Sequence, residues 1–133
     1  MRWTNRGWAA ARILFGLFFL YAPLMVIVQF GGQNPPETMA AASDFASALD
    51  RTGFMNPLII GTMLAGGGAL LFERSAPVGL ILLGPSIVVI AGFHWFLTGK
   101  LLWGSIWPIW FASLAWHDRA VFSRLWMPRT REG

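Results

Sequence analysis

Only two histidines, His94 and His117, stand in 133 residues, and cysteine is absent. The missing thiols remove disulfides, Cys-X-X-Cys redox chemistry, iron–sulfur ligation and cysteine-rich zinc sites together. His94 lies inside an apolar run and His117 at the start of a basic tail, at opposite ends of the last such run. One chain therefore cannot bring both imidazoles to one haem. No His and carboxylate cluster has metal-ligand spacing, and Glu37, Asp44 and Asp50 have no nucleophile or base at a telling separation. Neither catalytic nor metal-binding residues are expected. What remains is His94, an ionisable ring in an uncharged stretch, beside Trp95 and at the same depth as Gln29 of an earlier run. Asn56, Thr62 and Ser105 reach a similar depth. Polar groups in lipid are costly unless paired, so these should face one another. The functional reading is a small outer-leaflet pocket of His94, Gln29 and Trp95 in which His94 hydrogen-bonds a quinone-like carbonyl or another ligand. The structural reading is a hydrogen bond tying one helix to another.

Trp103, Trp107 and Trp110, with Leu114, form a stripe spaced i, i+4, i+7. Tryptophans at a membrane interface are ordinary anchors, but Trp107 and Trp110 run deeper than a belt requires. They are expected to offer an aromatic face to a partner subunit or a flat cofactor. The alternative is plain bundle packing and lipid contact.

The element that must carry His94 is Pro77 to Leu97, PVGLILLGPSIVVIAGFHWFL. As a helix it spans roughly 30 Å, the thickness of a bilayer's hydrocarbon core. Composition agrees: 56% of residues are hydrophobic and 12% charged, against about 25% charged in a soluble domain. The expected fold is an all-α integral membrane four-helix bundle forming one domain, 1–133. Its spans run at about 9–30, 54–72, 77–97 and 101–116, with a basic tail over 117–133. The first run follows a basic head but is too long for a signal peptide and has no A-x-A site, so it reads as an uncleaved anchor. Asn34-Pro35-Pro36-Glu37 reads as a helix start with Asn34 as N-cap, opening a short amphipathic helix over about 35–52 that ends at Gly53. Gly61, Ala65 and Ala69, with Gly66-Gly67-Gly68, read as a close helix-packing face. Without a following Lys-Ser/Thr the glycine run is no phosphate loop.

Four spans put both termini on one side. That side holds Arg2, Arg6, Arg12, Arg74, Arg119, Arg124, Arg129 and Arg131, eight of the ten basic residues. The positive-inside rule makes the termini cytoplasmic and the amphipathic helix periplasmic, in a bacterial inner membrane. A polybasic segment already has anionic lipid beside it, so no nucleic-acid partner is expected.

The chain resembles the DoxX family of small four-span membrane proteins over Arg12–Trp116. The similarity rests on R-I-L-F-G-L-F-F-L (Arg12–Leu20), on P-P-E…A-A-A-S-D-F…A-L…T-G-F (Pro35–Phe54), and on G-P-S-I-V…F-H-W-F-L (Gly84–Leu97). The last piece keeps a proline followed nine residues later by histidine. The chain departs from the family at Met25 and Val26, where many relatives carry an Asn-Lys-like pair, and at Val89, where many carry Asn. The family is tied to quinone-linked sulfur oxidation and oxidant-defence complexes and has no agreed catalytic residues. The resemblance implies a non-catalytic accessory subunit among other membrane protein subunits, in a complex handling electrons or quinone. The alternative is a quinone-interacting oxidoreductase component built around His94.

Overall fold

A computed structural model describes residues 2–125. Arg129 and Arg131 of the basic tail, and the side chains of Arg2 and Trp3, lie outside what it describes. The described chain is helical throughout, without strands. Helix α1 covers Arg2–Phe30, α2 Ala40–Thr52, α3 Met55–Leu70, α4 Ala76–Gly92, α5 Leu101–His117 and α6 Arg119–Ser123. A wide turn over Phe93–Thr98, closed by i→i+5 hydrogen bonds, extends α4 to the left-handed Gly99.

Two helices, Thr4–Phe30 and Ala76–Thr98, are long and apolar enough to cross a membrane. Helices α2 and α3 pass the same criterion only when taken together, and they meet at a bend of 95°. The 16 residues of α3 reach about 24 Å and the 17 of α5 about 26 Å, each short of a ~30 Å hydrocarbon core.

The four longest helices share one core. Helix α3 lies between α1 and α4, and α5 packs on α4 and closes on α1. Phe15 and Phe19 of α1, Leu70 of α3, Leu80, Leu83 and Ile87 of α4, and Trp107 and Leu114 of α5 are buried together. Close approach is set by glycine. Gly67 faces α1 at Gly16, while its neighbour Gly66 faces α4 at Gly79 and Leu83. The expected packing face is corrected here. Gly61 meets nothing within 4 Å and Ala65 is exposed, so of that stripe only Ala69 touches a neighbour, Gly79 of α4. Residues 66 and 67 point about 100° apart on a helix, which lets one segment press two neighbours at once.

The amphipathic helix is also corrected. It begins at Ala40 rather than at 35, and Met39, not Asn34, stands at its cap without a side-chain bond. The two prolines disfavour helical backbone in the residues before them, leaving Asn34 to Glu37 outside any helix. The far end behaves as expected: Gly53 adopts φ 74° and its N–H returns to the Asp50 carbonyl. Ala42 and Ala46 are buried. The helix lies across the start of α3 and the wide turn of α4, with Phe45 against Phe93 at 5.8 Å between ring centres.

Candidate functional site

Beneath α2, at the end of the bundle away from the start of α1 and the end of α5, three donors from two segments converge on one carboxylate oxygen. Asp50 Oδ1 accepts from the Asn34 backbone N–H at 3.0 Å, from Asn34 Nδ2 at 2.9 Å and from Asn56 Nδ2 at 2.6 Å. Asn34 Nδ2 also donates to Asn56 Oδ1 at 3.1 Å and to the Ala46 carbonyl at 3.3 Å. Asn56 is buried. The cluster ties the loop after α1 to the last turn of α2 and the first turn of α3. Burial pushes the Asp50 carboxyl upward, but the Asn34 backbone N–H and the Asn56 and Asn34 amides outweigh it and hold the group below its ordinary value. Asp50 is thus an anion fixed by donors.

Three cavities meet at this cluster. One of about 400 Å³ is lined by Gly32, Gln33, Asp50, Gly53, Asn56 and Ile60. A second, of about 130 Å³, includes Pro23, Gly32, Asn34, Asn56, Ile60 and Met63. The third, of about 210 Å³, includes Asn34, Glu37, Phe45, Leu49, Met63 and His94. Its wall is largely apolar, with three polar groups.

His94 is held in one orientation. Its Nδ1 lies 2.8 Å from the Ile90 carbonyl. A carbonyl can only accept, so Nδ1 carries the hydrogen, and in the neutral ring Nε2 is a bare acceptor. Thr98 Oγ1 donates to the His94 carbonyl at 3.1 Å. Helix α5 reaches this turn at Gly104, where a Cβ would fall 2.7 Å from that of His94 and 2.9 Å from Trp95 Cδ1. Asn34 has spent its amide hydrogens on Asp50, Asn56 and Ala46, leaving Oδ1 free to accept among the described residues. An ionised Glu37 also only accepts. All three polar groups of the 210 Å³ cavity therefore ask a ligand for hydrogen-bond donors.

Of the expected pocket, only His94 lines this cavity. Gln29 is exposed and its amide meets Met25 Sδ of its own helix at 3.8 Å. Trp95 turns to α5, donating from Nε1 to Ser105 Oγ at 3.1 Å. Thr62 and Ser105 bond back to the Leu58 and Leu101 carbonyls, the usual recourse of a hydroxyl in an apolar helix. Asn56 alone of these polar groups joins a cluster between segments. No group of three or more His, Asp or Glu side chains able to hold a metal occurs among the described residues.

The tryptophan stripe turns largely inward within this chain. Trp107 is 5% exposed and stacks on Phe18 of α1, ring centres 3.9 Å apart. Trp110 lies parallel to Trp107 at 6.0 Å and edge-on to Phe15. Only Trp103 keeps an open face, 45% exposed. Large rings of both helices make up the contact between α1 and α5.

Asn34 and Asp50 are the site residues that sequence reading missed. One signal was there: Asp50 sits in the last turn of α2, where the helix dipole disfavours a carboxylate unless other donors hold it. Compared with known proteins, the chain matches no family model, no curated protein and no solved structure.

Proposed function

We propose that the chain is a four-span inner-membrane protein of the DoxX type, with both termini cytoplasmic. It serves as an accessory subunit of an electron-handling membrane complex by holding the ring of a small quinol. The single observation that carries the ligand class is the acceptor-only lining of the cavity at His94. A 210 Å³ volume is below the ~300 Å³ floor for drug-sized sites, so it takes one ring and leaves any tail outside. A quinone carbonyl cannot pair with Nε2 of a neutral imidazole, whereas a quinol hydroxyl can donate to it. The reduced, dihydroxy form is therefore the preferred ligand, which reverses the carbonyl contact expected from sequence. The chain supplies binding and orientation.

The test is binding of a short-chain quinol and its quinone to purified protein, followed by thermal shift. The quinol should bind about tenfold more tightly, the worth of one net hydrogen bond. His94→Phe should abolish the difference while the bundle still folds. Equal affinity for both forms, or tighter binding of the quinone, sinks this reading.

A further inference from the structure

The opposite end of the bundle holds a second polar cavity that the quinol reading does not use. It encloses about 410 Å³ and is lined by Asn5, Trp8, Arg12, Glu73, His117 and Asp118, with Leu114 and Val121 supplying apolar wall. Arg12 lies near the start of the Thr4–Phe30 helix, where its apolar run begins. Its Nε is buried without a hydrogen-bond partner. A buried guanidinium nitrogen is costly unless something accepts from it. The same cavity offers carboxylates, yet Arg12 forms no ion pair with Glu73 or Asp118, and the Asp118 carboxylate lies instead against His117, Oδ1 to Nδ1 at 3.2 Å. The His117 ring also stacks on Trp8, centres 4.6 Å apart. These contacts fix the cavity wall between the start of α1 and the end of α5.

A cavity that keeps a cation and carboxylates unpaired with one another matches a ligand carrying both charges at a fixed separation. We propose that it binds a phosphoethanolamine headgroup, with the phosphate on Arg12 and the ammonium on Glu73 and Asp118. Guanidinium is the side chain suited to phosphate, and an ammonium with three N–H donors suits carboxylates. The source is a membrane lipid, because Arg12 lies at the headgroup end of the first apolar helix and the wall beside it includes Leu114 and Val121. The proposal rests on the membrane reading and is independent of the His94 cavity.

The experiment reconstitutes the full chain in nanodiscs of phosphatidylcholine doped with phosphatidylethanolamine or with phosphatidylglycerol. Lipid retained after detergent exchange is counted by native mass spectrometry, and thermal stability is measured alongside. Wild type should retain phosphatidylethanolamine about tenfold over either other lipid and melt higher with it. Glu73→Gln, at an exposed turn, should leave the fold intact and shift retention towards phosphatidylglycerol, since the ammonium then keeps only Asp118. Arg12→Gln should lose retention of both. Equal retention of phosphatidylglycerol and phosphatidylethanolamine by wild type would overturn the paired-charge site in favour of a plain anion site. Indifference to headgroup would overturn it altogether. Soluble phosphoethanolamine stabilising the protein in phosphatidylcholine as well as the lipid does would overturn the assignment to a membrane lipid.

Discussion

Gly16 and Gly67 face each other so closely that a methyl group on either would strike the other's backbone. A Cβ on Gly16 would lie 2.8 Å from the Gly67 carbonyl oxygen, and one on Gly67 would lie 2.9 Å from that of Gly16. Backbone cannot retreat as a side-chain tip can. Gly67→Val should therefore destabilise by about 1–3 kcal/mol, the usual cost of overpacking. Gly61→Val, with nothing within 4 Å, should be near neutral. Equal unfolding midpoints for the two variants would show that α1 and α3 do not meet there.

The Asn34–Asp50–Asn56 cluster predicts an acid limb in stability. The folded carboxyl is held below its ordinary value of 3.8, so its contribution is complete above about pH 4 and disappears as pH falls through the lower folded value. Asp50→Asn keeps the shape but removes the charge. It should flatten that limb and cost about 1.5–3 kcal/mol at neutral pH. An unchanged pH profile would mean that the carboxylate is not held by its donors.

Trp107 should behave as core. Trp107→Ala should destabilise by about 3 kcal/mol or more, read as a lowered unfolding midpoint of the isolated protein. Trp103→Leu should change it little, because nearly half of Trp103 is already open. A neutral Trp107 variant that lost only a partner on purification would restore the interface role.

Orientation can be read by labelling, since the wild type has no cysteine. Ala48 on α2 and Ser123 on α6 are both exposed. A cysteine at Ala48 should react with an impermeant reagent from the periplasm, and one at Ser123 should not. The reverse pattern would invert the membrane assignment while leaving the internal geometry unchanged.

Apolar runs and glycine punctuation made the helices legible. Helices α1, α3, α4 and α5 cover the four apolar runs, and Gly53 stops α2 where its chemistry says it should. What sequence could not give was direction around a helix axis. Trp107 reads the same whether it faces lipid or α1, and only the phenylalanines placed opposite settle it. Gly61 and Gly66 are equally small, yet one is open and the other pressed against Leu83. Asn34 failed as a helix cap because the prolines after it keep the segment out of helical backbone, and its amide hydrogens went instead to partners distant in sequence. His94 was recognisable as the odd group in its run, but its hydrogen-bonding sense followed from the Ile90 carbonyl alone.

Residues that line two neighbouring chambers are the wall between them. Gly32, Asn56 and Ile60 stand between the 400 Å³ and 130 Å³ volumes. Asn34, Ile59 and Met63 stand between the latter and the chamber of His94. The two asparagines are thus the polar panels of a double bulkhead, and Asp50 is the bolt on both. A proton on that bolt would weaken the hold on both panels at once.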